Sequence, residues 1–182
     1  YNLGYSYFKL KEYGEALNRF RQYVNLESNQ QTPAYADAYN RIGDCLFHNR
    51  QFAMAEENYT RAAQLQPSAG DYSVYQKGFL LGLQKDYKGK ISVMDRLIRA
   101  FPESQYVDDA LFEKGRSYVL LDNNQAAAAS FEQLMRDFPQ SSLARKAGVQ
   151  LGLIYFNDNQ PEKAADAYKS VISNYPGSEE AK

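Results

Sequence analysis

The chain repeats itself. FPQSSLARKAGVQLGLIYF, residues 138–156, follows FPESQYVDDALFEKGRSYV, residues 101–119, with Phe, Pro, Ser, Ala, Gly and Tyr at matching offsets 37 residues apart. YPGS opens a further copy at Tyr175. A Gly standing three residues before an aromatic residue or Leu marks each copy: Gly4, Gly43, Gly78, Gly115 and Gly152, spaced by 39, 35, 37 and 37 residues. Periods of this size belong to stacked supersecondary units, each too small to bury its own apolar face alone.

The rest of the copy follows from the Gly. Twelve residues on stand Ala16, Ala55, Lys90, Ala127 and Ala164, and sixteen on stand Phe20, Tyr59, Met94, Phe131 and Tyr168. Twenty-four on stand Ser28, Pro67, Pro102, Pro139 and Pro176. Within the second half of a copy, Met94, Leu97, Ile98 and Phe101 fall at i, i+3, i+4 and i+7, as do Phe131, Leu134, Met135 and Phe138, and Tyr168, Val171, Ile172 and Tyr175. That is one face of a 3.6-residue helix, not the alternation of a strand. The Pro after the last apolar residue ends the helix. Ser104, Ser141 and Ser178 are placed to cap the next one, and Pro161 suits a first helical turn. Polar stretches such as LDNNQ and FNDNQP turn the chain between the two helices of a copy. Gly on the first helix is expected to face Ala on the second, with the large ring closing the contact. The fold expected is an all-α, right-handed solenoid of about five helix pairs spanning 1–182 as one array, with repeats near 1–33, 34–70, 71–103, 104–140 and 141–176. Because the sequence opens inside a helical pattern at YNLGYSYF, it reads as a piece of a longer chain.

This pattern resembles the tetratricopeptide repeat, with LGYSY at 3–7 and LGLIY at 151–155 closest to its Leu-Gly-x-x-Tyr. Lys90 in place of a small residue, Pro161 in place of an aromatic, and a longer first linker depart from it. The FPxS junction resembles the repeats of bacterial envelope proteins, those of the periplasmic Tol–Pal coordinator and the outer-membrane barrel-assembly lipoprotein. The narrower resemblance implies a periplasmic or envelope location.

Chemistry is scarce. A formal net charge of −1 over 182 residues offers no basic surface for nucleic acid. Apolar runs are far shorter than the roughly 20 residues a membrane span needs. Cys45 and His48 are single representatives of their types, so neither a disulfide framework nor a four-ligand metal site is expected, and no cofactor is called for. Cys45 is expected between helices and His48 at a helix end. Asp108 and Asp109 read as first-turn acids at a helix N-terminus. GLQKDYKGKIS lacks the spacing of a phosphate loop and reads as an inter-helix turn. Asn58-Tyr59-Thr60 lies inside an expected helix.

What remains is surface. The family resemblance implies a concave groove lined by first-helix positions three before, one after and four after the Gly. In the first unit these are Tyr1, Tyr5 and Phe8; in the second Asn40, Asp44 and Phe47; in the third Tyr75, Phe79 and Gly82. The fourth supplies Phe112, Arg116 and Val119, and the fifth Val149, Leu153 and Phe156. Such rings suit an extended or helical segment of a partner protein, with Phe47, Phe79 and Phe112 as central anchors and Asp44 and Arg116 adding polar selectivity. Alternatively, neighbouring first helices bury each other's rings. A carboxylate clamp is not matched, because Tyr1, Tyr5 and Tyr72 stand at its polar positions. The implied function is a non-catalytic protein- or peptide-binding scaffold. The structural rival is a spacer or homo-oligomerising rod.

Overall fold

A computed structural model describes residues 1–179, and every regular element among them is helical. The chain folds as two compact units, Tyr1–Gln84 and Lys85–Lys182, with the boundary inside the third copy of the repeat. The first unit holds α1 (Asn2–Lys9), α2 (Tyr13–Leu26), α3 (Pro33–His48), α4 (Phe52–Leu65), a 3-10 turn at Pro67–Ala69, and α5 (Asp71–Leu83). The second holds α6 (Tyr87–Ala100), α7 (Val107–Val119), α8 (Asn124–Asp137), α9 (Ser142–Asn157) and α10 (Pro161–Asn174). Within each unit, helices consecutive in sequence pack on one another.

Local chemistry sets the boundaries. Thr32, Asp86, Asn123 and Ser141 cap α3, α6, α8 and α9, each side chain accepting a backbone N–H from the first turn. Pro161 opens α10. Ser104 does not cap α7; its hydroxyl accepts from Tyr106 N–H in the turn before the helix. The helix that Ser178 was expected to cap lies outside the described residues. GLQKDYKGKIS supplies a turn only at 84–86 and is otherwise the end of α5 and the start of α6.

Every turn inside a helix pair uses the same backbone device. Lys11, Arg50, Lys85, Asp122 and Asn159, each seven residues after the repeated Gly, have φ between 55° and 62°. At Lys11 the left-handed residue donates to Phe8 O at 3.0 Å, and Glu12 donates to Tyr7 O at 3.0 Å. These two bonds satisfy the last carbonyls of α1. The same pair recurs after α3, α7 and α9.

The core is the repeat's own set. Ala16, Phe20, Ala55, Tyr59, Ala127, Phe131, Ala164 and Val171 are buried. The Gly does not chiefly face the Ala, as expected; it faces the ring sixteen residues on. A Cβ on Gly4 would lie 2.9 Å from Phe20, on Gly43 2.7 Å from Tyr59, and on Gly115 2.6 Å from Phe131; Gly152 faces Tyr168 in the same way. The missing Cβ is therefore the seat for a ring whose full burial stabilises by about 1.5–3 kcal/mol.

Candidate functional site

In the first unit, α3 carries Asp37, Arg41 and Asp44 at helical spacing. Arg41 Nη1 lies 2.6 Å from Asp44 Oδ2, and its Nε lies 3.4 Å from Asp37 Oδ1. Tyr1 donates to Asp37 at 2.6 Å and Tyr5 donates to the same oxygen. Tyr59 and Tyr72 donate to Asp44 Oδ1 at 2.7 and 2.6 Å. The guanidinium also lies 4.9 Å from the Tyr72 ring centre, 5.8 Å from Phe8 and 5.9 Å from Tyr5, within cation–π range. One internal cation is thus held by two carboxylates and three rings.

This network decides the fate of the first-unit positions. Asp44, expected to face a ligand, is 6% exposed and faces Tyr59, Tyr72 and Arg41. Burial pushes its carboxyl above the ordinary value, while Arg41, Tyr72 and Tyr59 pull the other way. Burial, then the Asp44 charge, raises the Tyr59 phenol, so that hydroxyl remains a donor. Tyr5 and Phe8 are half-buried around Arg41. Asn40 accepts from Ser73 at 2.8 Å. Phe47 is half-buried among His48, Phe52 and Phe79, with ring centres 5.6–6.0 Å apart. Tyr75 and Gly82 are half-buried, and Phe79 is 37% exposed. Cys45 is buried and its thiol is pushed up to about 12 by that burial and by Asp44. His48 ends α3 and stacks on Tyr13 at 3.9 Å.

The second unit presents its first helices differently. On α7, Phe112 packs against Phe131, ring centres 5.7 Å apart, and Val119 is half-buried. Arg116 is exposed and lies 3.1 Å from Glu113 Oε1. Glu113 also takes the buried Lys90 of α6, so one carboxylate serves two cations. On α9, Val149 is half-buried, whereas Leu153 is 43% and Phe156 66% exposed. Leu153 and Phe156, with Phe79 in the first unit, are the open apolar side chains at the repeated positions, and Phe47 and Phe112 are not. The Arg41 cluster escaped the sequence reading because Asp37 and Arg41 stand outside the three groove offsets. One signal was available: Tyr59 occupies a core position where the first and fourth units have Phe, and a buried hydroxyl requires an acceptor.

Among the described residues, no group of three or more His, Cys, Asp or Glu gathers to hold a metal. No helix there is long and apolar enough to cross a membrane.

Profiles of the tetratricopeptide repeat match residues 36–69, and 1–29, 109–141 and 146–178, together more than half of the chain and leaving out its third copy. No curated protein matches the sequence. Among solved structures, a crystal structure of MamA is 15% identical over 94% of this chain and 93% of its own, with a TM-score of 0.78. MamA from Desulfovibrio magneticus RS-1 is 17% identical over 98% and 94%, with a TM-score of 0.77. YrrB, described as a TPR protein with an unusual peptide-binding site, is 18% identical over 99% and 87%, with a TM-score of 0.72. At these identities the likeness is one of fold: all-α, of the repeat-solenoid class.

Proposed function

The chain belongs to the tetratricopeptide repeat family, whose members are protein-interaction scaffolds, and we propose that it is a non-catalytic scaffold binding a partner peptide or helix on its first-helix faces. The observation that carries this reading is the exposure of Leu153 and Phe156 on α9. They stand at positions the helix pair does not use for its own packing. A partner's apolar side chains would cover them, with Phe112, Arg116, Val119 and Val149 as flanking contacts. In the first unit, Phe79 is the open counterpart, beside Phe47 and Tyr75. Tyr5, Phe8, Asn40 and Asp44 set the shape of that face through their internal bonds. YrrB, described as a TPR protein with an unusual peptide-binding site, makes a peptide ligand a natural expectation for the same fold. A role in bacterial envelope assembly, in the periplasm, rests on the FPxS junctions at Phe101 and Phe138.

A second reading, a spacer or self-associating rod, draws on Leu3, Leu10 and Leu26, which α1, α2 and their turn leave exposed. Affinity capture from the source cell, with wild type beside a Leu153→Ala/Phe156→Ala variant of equal thermal stability, separates the two. A partner held by wild type and lost by the variant supports the scaffold. A mass that rises with concentration, with no partner captured, supports the rod.

A further inference from the structure

Arg41 stands two residues before the repeated Gly. The other copies carry Asn2, Gln76, Glu113 and Gln150 at that position, so the helix pair does not require a cation there. Taking a guanidinium out of water is costly, and a buried ion pair is often no more stabilising than apolar residues of the same volume. Packing of the repeat therefore does not account for Arg41.

Its surroundings have the make-up of a cation site. Both ion pairs of Asp37 and Asp44 go to Arg41, whose Nη1 lies 2.6 Å from Asp44 and whose Nε lies 3.4 Å from Asp37. Tyr1 and Tyr5 donate to Asp37, and Tyr59 and Tyr72 to Asp44, which fixes both carboxylates in place. The rings of Tyr5, Phe8 and Tyr72 stand 4.9–5.9 Å from the guanidinium carbon, at cation–π distance. These groups come from α1, α3, α4 and α5, so the site is made by the fold of the unit and not by one helix. It meets solvent on one side, where the side chains of Arg41 and Asp37 are 17% and 30% exposed. Tyr5 and Phe8 on that side are first-helix face positions.

We propose that Arg41 is a specificity-determining residue of the first unit: it fills a cation site on the first-helix face and so shuts that face to a basic side chain of a partner. Without Arg41, two carboxylates and three rings are left for a guanidinium from outside. The exclusion of a partner's side chain rests on the first-helix reading above, whereas the cation site does not, so the two fail separately.

The test is thermal melting of the intact protein and of Arg41→Ala in guanidinium chloride at low concentration, with sodium chloride and urea at matched concentrations as controls for charge and shape. Guanidinium is expected to raise the Tm of Arg41→Ala saturably and not to raise that of wild type. Urea should raise neither, and adding Asp37→Asn to the variant should weaken the guanidinium effect. If Arg41→Ala does not fold alone, the same titration is read as recovery of its helical circular dichroism. N-acetyl-arginine amide, a basic side chain without charged ends, should bind Arg41→Ala about tenfold tighter than wild type. No guanidinium effect, an equal effect of urea, or an equal rise in wild type would overturn the cation site. Guanidinium rescue without tighter binding of the arginine probe would overturn the role in specificity and leave Arg41 as a tie between helices.

Discussion

Gly43 lies against Tyr59 so closely that an added Cβ would stand 2.7 Å from the ring. The ring cannot retreat, because it is buried and its hydroxyl is bonded to Asp44. Ala would gain about 1 kcal/mol of helix propensity over Gly, but overpacking a fixed core costs about 1–3 kcal/mol. Gly43→Ala is expected to lower stability in chemical denaturation. Gly14, in the first turn of α2 with nothing within 4 Å of its Cβ position, is the control: Gly14→Ala should raise stability by up to about 1 kcal/mol.

The five left-handed turn residues make a second comparison. For an L residue the left-handed conformation costs about 1–2 kcal/mol, and Gly offsets this with about 0.5–1 kcal/mol of extra chain entropy. Lys11→Gly and Arg50→Gly should each stabilise by about 0.5–1 kcal/mol. Asn159→Gly should gain less, since Asn tolerates this region. Thermal melts of the three single variants check the ranking, and an equal response at all three would contradict it.

Asp44 gives a pH dependence whose sign runs against the usual carboxylate. Its folded-state pKa is raised above 3.8, chiefly by burial. The contribution is therefore fully present below the unfolded value and is lost as pH rises through the folded one. Asp44→Asn should destabilise, because an amide NH2 in place of one carboxyl oxygen cannot accept from the donors Arg41, Tyr59 and Tyr72 that surround it. The gap in stability between wild type and variant should narrow as pH rises from about 4. Denaturation at a series of pH values measures that gap, and a gap that widens with pH would refute the assignment.

Lys90 sits buried where the other copies carry Ala, held by Glu113. Glu113→Ala should cost about 3–5 kcal/mol, because it strands a buried ammonium. Lys90→Ala restores the repeat's usual residue, so the double variant should recover most of the loss. A double variant no more stable than Glu113→Ala would mean the pair does not act as a unit.

Helices, turns and caps were legible because each depends on a few neighbouring residues: the Gly-to-ring spacing, Pro after Phe101 and Phe138, Ser141 before α9. The same reasoning assigned Gly to the wrong neighbour, since spacing alone does not distinguish Ala55 from Tyr59 as the residue opposite Gly43. The surface was less legible. Phe47, Phe112 and Phe156 read alike in sequence, but the first two have aromatic neighbours at Phe79 and Phe131 that partly cover them. Asp44 read as a surface acid because its acceptor role depends on Tyr59 and Tyr72, 15 and 28 residues away.

The most direct measurement is the affinity of a captured partner for wild type, for Leu153→Ala/Phe156→Ala, and for Leu26→Ala, which removes an exposed side chain elsewhere. The double variant is expected to lose about 2–4 kcal/mol in binding and Leu26→Ala to lose none, with thermal stability unchanged in both. Equal binding by all three proteins would contradict a partner site on the first-helix face of α9.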